Sequence, residues 1–412
     1  MMNKSFRPIL ISIWITACII FIGLKGVFPG WQEGPSDFLN YYSSATLQKN
    51  GESIAQFYDN DWFTERTVDI GVKEGAKFSP FPPATAFLYL PLSFFPPLQA
   101  KRVWLICNAF LLLVLIFQLK KVSSFSFLEI AFIVSLFMIP ITSNIRLGQS
   151  YLLFSVLLLS FINTLKNGKN SLSGGILGIA ASFKYFPIVY VLYALPNLKK
   201  KLVVGLLMGI AIVCLLPVFV GGISSYTVFL GEFWNHANGN LSGQGQFSYT
   251  FQSIDALLAN FFIYDSEFNS QATFNRPFLK GTIKMLFSIL VLLFSIRIYQ
   301  KGYQKAKELS IGTCIIGASL LIPASASYHL LLLLPAVMLI IDFLRKEGDF
   351  KREISILVLL SFLTCNVLPH HIPNFTNSHA INTLIHFPRL YGLTGLFVFL
   401  LVLQKRYLQA NG

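Results

Sequence analysis

The sequence predicts an all-α polytopic membrane protein, a bundle of about twelve transmembrane segments, and three observations carry that prediction. Of its 412 residues 54% are hydrophobic and only 12% charged, far from the balance of soluble globular chains. Uncharged apolar windows long enough to cross a ~30 Å hydrocarbon core recur from end to end. Small basic clusters sit just outside those windows, where the positive-inside rule puts them.

The formal charge of +14 would also suit a nucleic-acid binder, but the lysines and arginines do not line one helical face. They flank apolar runs and read as topology signals, so no nucleic-acid partner is expected. Cys18, Cys107, Cys214, Cys314 and Cys365 stand singly in apolar segments without a C-x-x-C spacing. They read as small buried hydrophobes rather than a disulfide framework or a zinc site.

Spans are expected near 8–26, 99–119, 125–142, 150–165, 172–183, 186–198, 202–220, 277–297, 309–324, 327–344, 353–369 and 389–404. Lys4 and Arg7 precede the first, which lacks a small-residue cleavage site and reads as a retained anchor. With the N-terminus inside, the clusters Lys120-Lys121, Lys166/Lys169, Lys199-Lys200-Lys201, Arg297/Lys301/Lys305/Lys307, Arg345/Lys346/Lys351/Arg352 and Lys405-Arg406 all fall on the cytoplasmic side. Both termini are then cytoplasmic, in a bacterial-type plasma membrane. The windows 172–183 and 186–198 are each too short to cross, since a spanning helix needs ~20 residues. Lysines flank the pair on both sides, so 172–198 is expected to be a hairpin whose turn, Phe183 to Pro187, reaches the outer leaflet. Gly174 and Gly178 would permit close helix contact there. The domain organisation is a single membrane domain, 1–412, with two long outer segments, 27–97 and 221–276.

In the first outer segment, which holds eight acidic residues, Phe38, Tyr41, Tyr42 and Ala45 recur at i, i+3, i+4 and i+7. That is the pattern of an amphipathic helix lying on the membrane surface. Asp37 opens it. Aspartate is a preferred helix cap, and a carboxylate beside a cavity at the membrane boundary is equally a general base. Downstream, Tyr58-Asp59 leads to Phe81-Pro82-Pro83 and an apolar stretch, Ala84 to Phe95, too short to cross. Arg146, ahead of Gly148-Gln149, and Lys184, at the hairpin tip, bring two cations toward the outer leaflet from within the bundle. Charges at that depth point to function, and a lipid phosphate is their chemical complement. Snorkelling to the headgroups is the plainer role for Lys184. Tyr328-His329, at the outer end of the tenth span, faces the same compartment. His370-His371 has no third ligand at helical spacing, so no metal is assigned to it.

Taken in order, these pieces resemble glycosyltransferase family 87 along most of the chain. The resemblance rests on Asp37-Phe38-Leu39-Asn40-Tyr41-Tyr42-Ser43-Ser44-Ala45, Tyr58-Asp59, Phe81-Pro82-Pro83 with Pro91-Leu92-Ser93, and Ala100-Lys101-Arg102-Val103-Trp104. It continues through Gly148-Gln149-Ser150 and the run from Gly175 to Pro187. The resemblance implies the GT-C membrane fold and transfer of a sugar, mannose in the family's best-known case, from a polyprenyl phosphate. It implies that Asp37 is the base and matches Lys184 to the lysine of the family's small-residue hairpin.

On this reading the acceptor is a hydroxyl of a glycan or glycolipid, and the polyprenyl phosphate leaves toward Lys184 and Arg146. A single displacement inverts the anomeric centre. The phosphate departs already ionised, so neither a general acid nor a cofactor beyond the donor lipid is expected. Tyr41, Tyr42, Asp59, Gln149, Tyr328 and His329 are the candidate substrate contacts on the outer face. The chain departs from the family at Phe81, where tyrosine is usual before Pro-Pro, and in a second outer segment rich in Gly, Asn and Gln. A secondary transporter is the chief alternative, although no paired halves are visible. An envelope-glycan ligase or polymerase, also using a lipid-linked donor, is another.

Overall fold

Apolar runs bounded by basic residues fold as helices nearly everywhere the sequence places a span. The structure, a computed structural model, describes residues 6–34, 36–70, 76–78, 80–190, 200–237, 245–302, 305–348 and 350–410. Among the described residues the extended structure is one isolated bridge, between Asp265 and Asn269. Helix α1 (Phe6–Ile22) passes through a single π-helical turn, Gly23–Val27, into α2 (Phe28–Gln32), so the first apolar run does not stop at residue 26. The first outer segment carries α3 (Phe38–Lys49), α4 (Asn60–Asp69) and α5 (Ala84–Leu88). The bundle continues with α6 (Pro97–Val122), α7 (Phe127–Ser135), α8 (Met138–Leu147), α9 (Tyr151–Lys166), α10 (Asn170–Phe183) and α11 (Lys200–Gly221). Helices α12 (Ser224–Ala237) and α13 (Ile254–Phe262) form the second outer segment. After them come α14 (Pro277–Gly302), α15 (Lys307–Leu320), α16 (Leu333–Glu347), α17 (Lys351–Asn366), α18 (His379–Ile385) and α19 (Pro388–Ala410).

Among the described residues five helical stretches, Pro8–Gln32, Pro97–Val122, Lys200–Gly221, Pro277–Gly302 and Ser327–Glu347, are long and apolar enough to cross a membrane. The count is seven if the bent pairs α7–α8 (72°) and α18–α19 (55°) are one span each. One of the expected twelve, 186–198, lies mostly outside the described residues, and the rest of the difference has a physical reason. Helices α9, α10, α15 and α17 have 16, 14, 14 and 16 residues, which at the α-helical rise reach roughly 21–24 Å, short of a ~30 Å core. The third expected span breaks at Leu136-Phe137, and Pro140 falls in the first turn of α8, where its missing N–H removes no helical bond. Ser327–Glu347 is wrapped by neighbours on all sides, whereas α11 and α14 present Phe219, Phe278 and other large apolar residues outward, as a lipid-facing surface requires.

Two expectations change. Helix α3 is not a one-faced surface helix, because both of its sides are buried. Phe38, Tyr41, Tyr42 and Ala45 pack with Tyr89, Leu92, Ala100 and Trp104, while Leu39 and Leu47 join Ile54, Phe57, Phe63, Phe78 and Phe229. Two of its buried hydroxyls are satisfied on their own helix: Ser44 Oγ donates to the Tyr41 carbonyl (2.8 Å) and Thr46 Oγ1 to that of Tyr42 (2.9 Å). Phe229 belongs to α12, so the two outer segments share a core.

The second change concerns the glycines of the expected hairpin. Its return leg lies mostly outside the described residues, apart from the turn Phe186–Ile188 and its first residues. Among the described residues, helix α10 packs on α11. A Cβ added at Gly174 would run into the carbonyl oxygen of Leu202, one at Gly178 into that of Leu206, one at Gly205 into that of Ser171, and one at Gly209 into that of Gly175. Backbone touches backbone, which only small residues permit.

Because backbone cannot move aside as a side chain can, Gly205→Leu should destabilise the protein by ~1–3 kcal/mol or more. Gly231→Leu in α12, where a Cβ meets nothing within 4 Å, should be neutral. Thermal unfolding of both variants in one detergent checks this, and equal midpoints would contradict the packing.

Candidate active site

After α8 the chain turns at Gly148, whose φ of +68° is the left-handed conformation that commonly ends helices. A Cβ there would lie 2.7 Å from the Cβ of Phe38, so glycine also lets the start of α3 rest on this turn. Trp104 of α6 fixes the turn from the other side, its Nε1 donating to the Gly148 carbonyl at 2.9 Å. The next residue, Gln149, reaches α3 with both ends of its amide. Its Nε2 donates to Asp37 Oδ2 at 2.8 Å, and its Oε1 accepts from the Tyr41 hydroxyl at 2.6 Å.

Asp37 occupies the cap position of α3, yet its side chain caps nothing. A capping residue ordinarily has extended φ and ψ, which turn its side chain back onto the first N–H groups. Asp37 has helical values, φ −58° and ψ −22°, so its carboxylate is directed elsewhere. Asp59 makes the contrast. Its backbone is extended, its carboxylate accepts from the N–H of Asp61 and Trp62 at 3.1 Å each, and it is the cap of α4.

Burial pushes the Asp37 carboxyl above the usual carboxylate range, against the lowering effects of the Gln149 hydrogen bond and the Lys184 and Lys101 charges. The Lys184 ammonium stands one residue beyond α10, buried rather than snorkelling. Its Nζ donates to the Tyr151 hydroxyl at 3.2 Å and lies over the rings of Tyr151, Phe81 and Tyr41, at 4.3, 5.1 and 5.6 Å from their centroids. Ring faces attract a cation, but they replace water poorly. Burial accordingly lowers the amine to about 7, with the Asp37 charge acting in the opposite direction.

Asp37, Tyr41, Gln149, Lys184, Tyr328 and His329 all line one cavity of about 430 Å³, within the size range of small-molecule sites. The His329 Nδ1 accepts the backbone N–H of Ala326 at 3.0 Å, which leaves Nε2 to carry the proton of the neutral ring. Its ring lies 4.4 Å from that of Tyr151 and stacks on Tyr328 at 4.8 Å.

Three candidates are not brought to this cavity. The Tyr42 hydroxyl donates to the Phe95 carbonyl at 2.9 Å. Asp59 is the exposed cap just described. Arg146 forks onto Glu33, with Nε 3.1 Å from Oε2 and Nη2 3.0 Å from Oε1, because the extended first helix carries Glu33 over α8. Conversely, Tyr151, His236 and Lys284 line the cavity without having been singled out from the sequence. Lys280 and Lys284 did carry a signal, being two lysines inside an expected span, four residues apart. His370 and His371 form a short turn, and among the described residues no group of three or more His, Cys, Asp or Glu stands together to hold a metal.

The sequence profile of glycosyltransferase family 87 matches residues 80–323, more than half of the chain. The match contains Phe81, Gln149, Tyr151, Lys184, His236 and Lys284 and ends before Tyr328. No curated protein matches the chain.

Proposed function

Because the chain belongs to glycosyltransferase family 87 and is a membrane glycosyltransferase, we propose that it moves a hexose, mannose first among them, from a polyprenyl phosphate to an acceptor hydroxyl. The acceptor is a glycan or glycolipid at the outer face of the plasma membrane. Both termini are read as cytoplasmic, with the shorter helices completing a twelve-crossing bundle together with their flanking turns. The observation that supports this reading best is the pairing, in one cavity, of an Asp37 carboxylate not spent on its helix with a buried Lys184.

The acceptor hydroxyl gives its proton to Asp37 while its oxygen forms a bond to the anomeric carbon. The bond from that carbon to the phosphate oxygen breaks, and its electron pair leaves with the polyprenyl phosphate. Lys184 donates to the departing phosphate, and attack opposite the leaving group inverts the anomeric centre. Gln149 orients the base. Tyr328 and His329 contact the sugar, and Arg146, held by Glu33, takes no part.

Two outcomes follow. Asp37→Asn preserves the shape of the side chain and an oxygen for Gln149 but cannot accept a proton, so transfer of labelled sugar should slow by roughly 10²–10⁴-fold in folded protein. Undiminished transfer would falsify the assignment.

Donor affinity should also depend on pH. The donor is a phosphodiester without a titration near neutrality, and it binds the protonated Lys184, whose amine is lowered to about 7 when the site is empty of anion. Binding is therefore full below pH 7. Above it, affinity should fall by about tenfold per pH unit until the amine of the bound state titrates. Equilibrium binding of a polyprenyl-phosphate sugar between pH 6 and 9 measures this, and a flat profile would return Lys184 to a structural role.

A further inference from the structure

The cavity has a second lysine in its lining, on α14. Helix α14 carries Lys280 and Lys284 one turn apart, and both reach Asp255 of α13, with Nζ atoms 3.4 and 3.0 Å from its Oδ1. Asp255 is 1% exposed. Asp255 is thus one carboxylate shared by two ammoniums. Lys284 is the member that lines the cavity, together with Ser288 one turn along α14 and His236 of α12. The surroundings of the two cavity lysines differ: Lys184 responds to the charge of Asp37, whereas Lys284 acts on His236 alongside Asp255. Burial lowers the His236 imidazole to about 4, so near neutrality it offers one N–H and one lone pair without adding charge.

A structural ion pair between α13 and α14 would need one lysine. A donor that leaves as a monophosphate occupies one of the two cavity lysines. We propose that Lys284, with His236 and Ser288, is an anion subsite that receives a phosphate or carboxylate group carried by the acceptor. The inference deepens the transferase reading above and rests on it, since it takes Lys184 as the donor site. A sugar bearing an anionic group would then be held at two points, its charge at Lys284 and its attacking hydroxyl at Asp37.

The test uses the full chain in uncharged detergent and two probes, glucose and glucose 6-phosphate, with binding followed by saturation-transfer NMR. A charge-assisted contact should make glucose 6-phosphate bind about tenfold more tightly than glucose. That preference should persist when saturating polyprenyl phosphate fills the Lys184 site. Lys284→Gln, which leaves the Lys280–Asp255 pair in place, should erase the preference, and Lys284→Arg should restore it. Absence of a preference in the wild-type protein overturns the subsite, as does its loss on adding polyprenyl phosphate, which would put the anion at Lys184. Both are wild-type measurements and do not depend on a variant folding. In either case retained polyprenyl phosphate binding leaves the donor reading standing, whereas failure of polyprenyl phosphate to bind at all overturns both.

Discussion

The amide of Gln149 holds the outer segment to the bundle at the point where the chemistry would occur. By donating to Asp37 and accepting from Tyr41 it fixes two groups of α3 against the α8–α9 turn. The geometry upstream serves that contact. Gly148 keeps the turn clear for Phe38, and Trp104 ties its carbonyl to α6. The helical backbone of Asp37 then keeps its carboxylate from folding back onto the N-terminus of α3, the position an aspartate there would otherwise favour. A carboxylate denied its local hydrogen bonds is left available to a ligand.

Electrostatics follow from burial. Asp37 and Lys184 oppose each other's desolvation, the lysine among aromatic faces and the aspartate on an amide. In such a poorly hydrated site an arriving phosphate would meet a cation whose charge is weakly screened, and a hydroxyl would meet a carboxylate with raised proton affinity. Phe81 stands where the resemblance leads to the expectation of a tyrosine. Lys184 meets the face of that ring at 5.1 Å, a contact that asks for an aromatic ring and not for a hydroxyl. Lys284, which shares Asp255 with Lys280, lines the same cavity.

Much of this was legible in the sequence. The helices fall where apolar runs and basic flanks put them, and Asp37, Tyr41, Gln149, Lys184, Tyr328 and His329 share one cavity. What failed, failed where the outcome depends on residues distant in sequence. Arg146 looks free until the first helix is seen to continue through a π turn to Gln32 and bring Glu33 to it. The stripe on α3 suggested a surface helix because periodicity cannot show that Phe229 and Leu39 share a second core on its other side. The glycines of α10 announced a close contact but not its partner, and the length of α9, α10, α15 and α17 limits how many helices cross unaided. Lys284 stood out only as a lysine inside an expected span, because its partner Asp255 lies nearly thirty residues earlier on another helix.

The most direct test is a structure of the protein in lipid nanodiscs with bound polyprenyl phosphate. The account predicts the phosphate in the cavity, with an oxygen about 3 Å from Lys184 Nζ and the Asp37 carboxylate, still held by Gln149, facing the same space. A phosphate seated on Arg146 at the surface, or on Lys284 with Lys184 vacant, would contradict it.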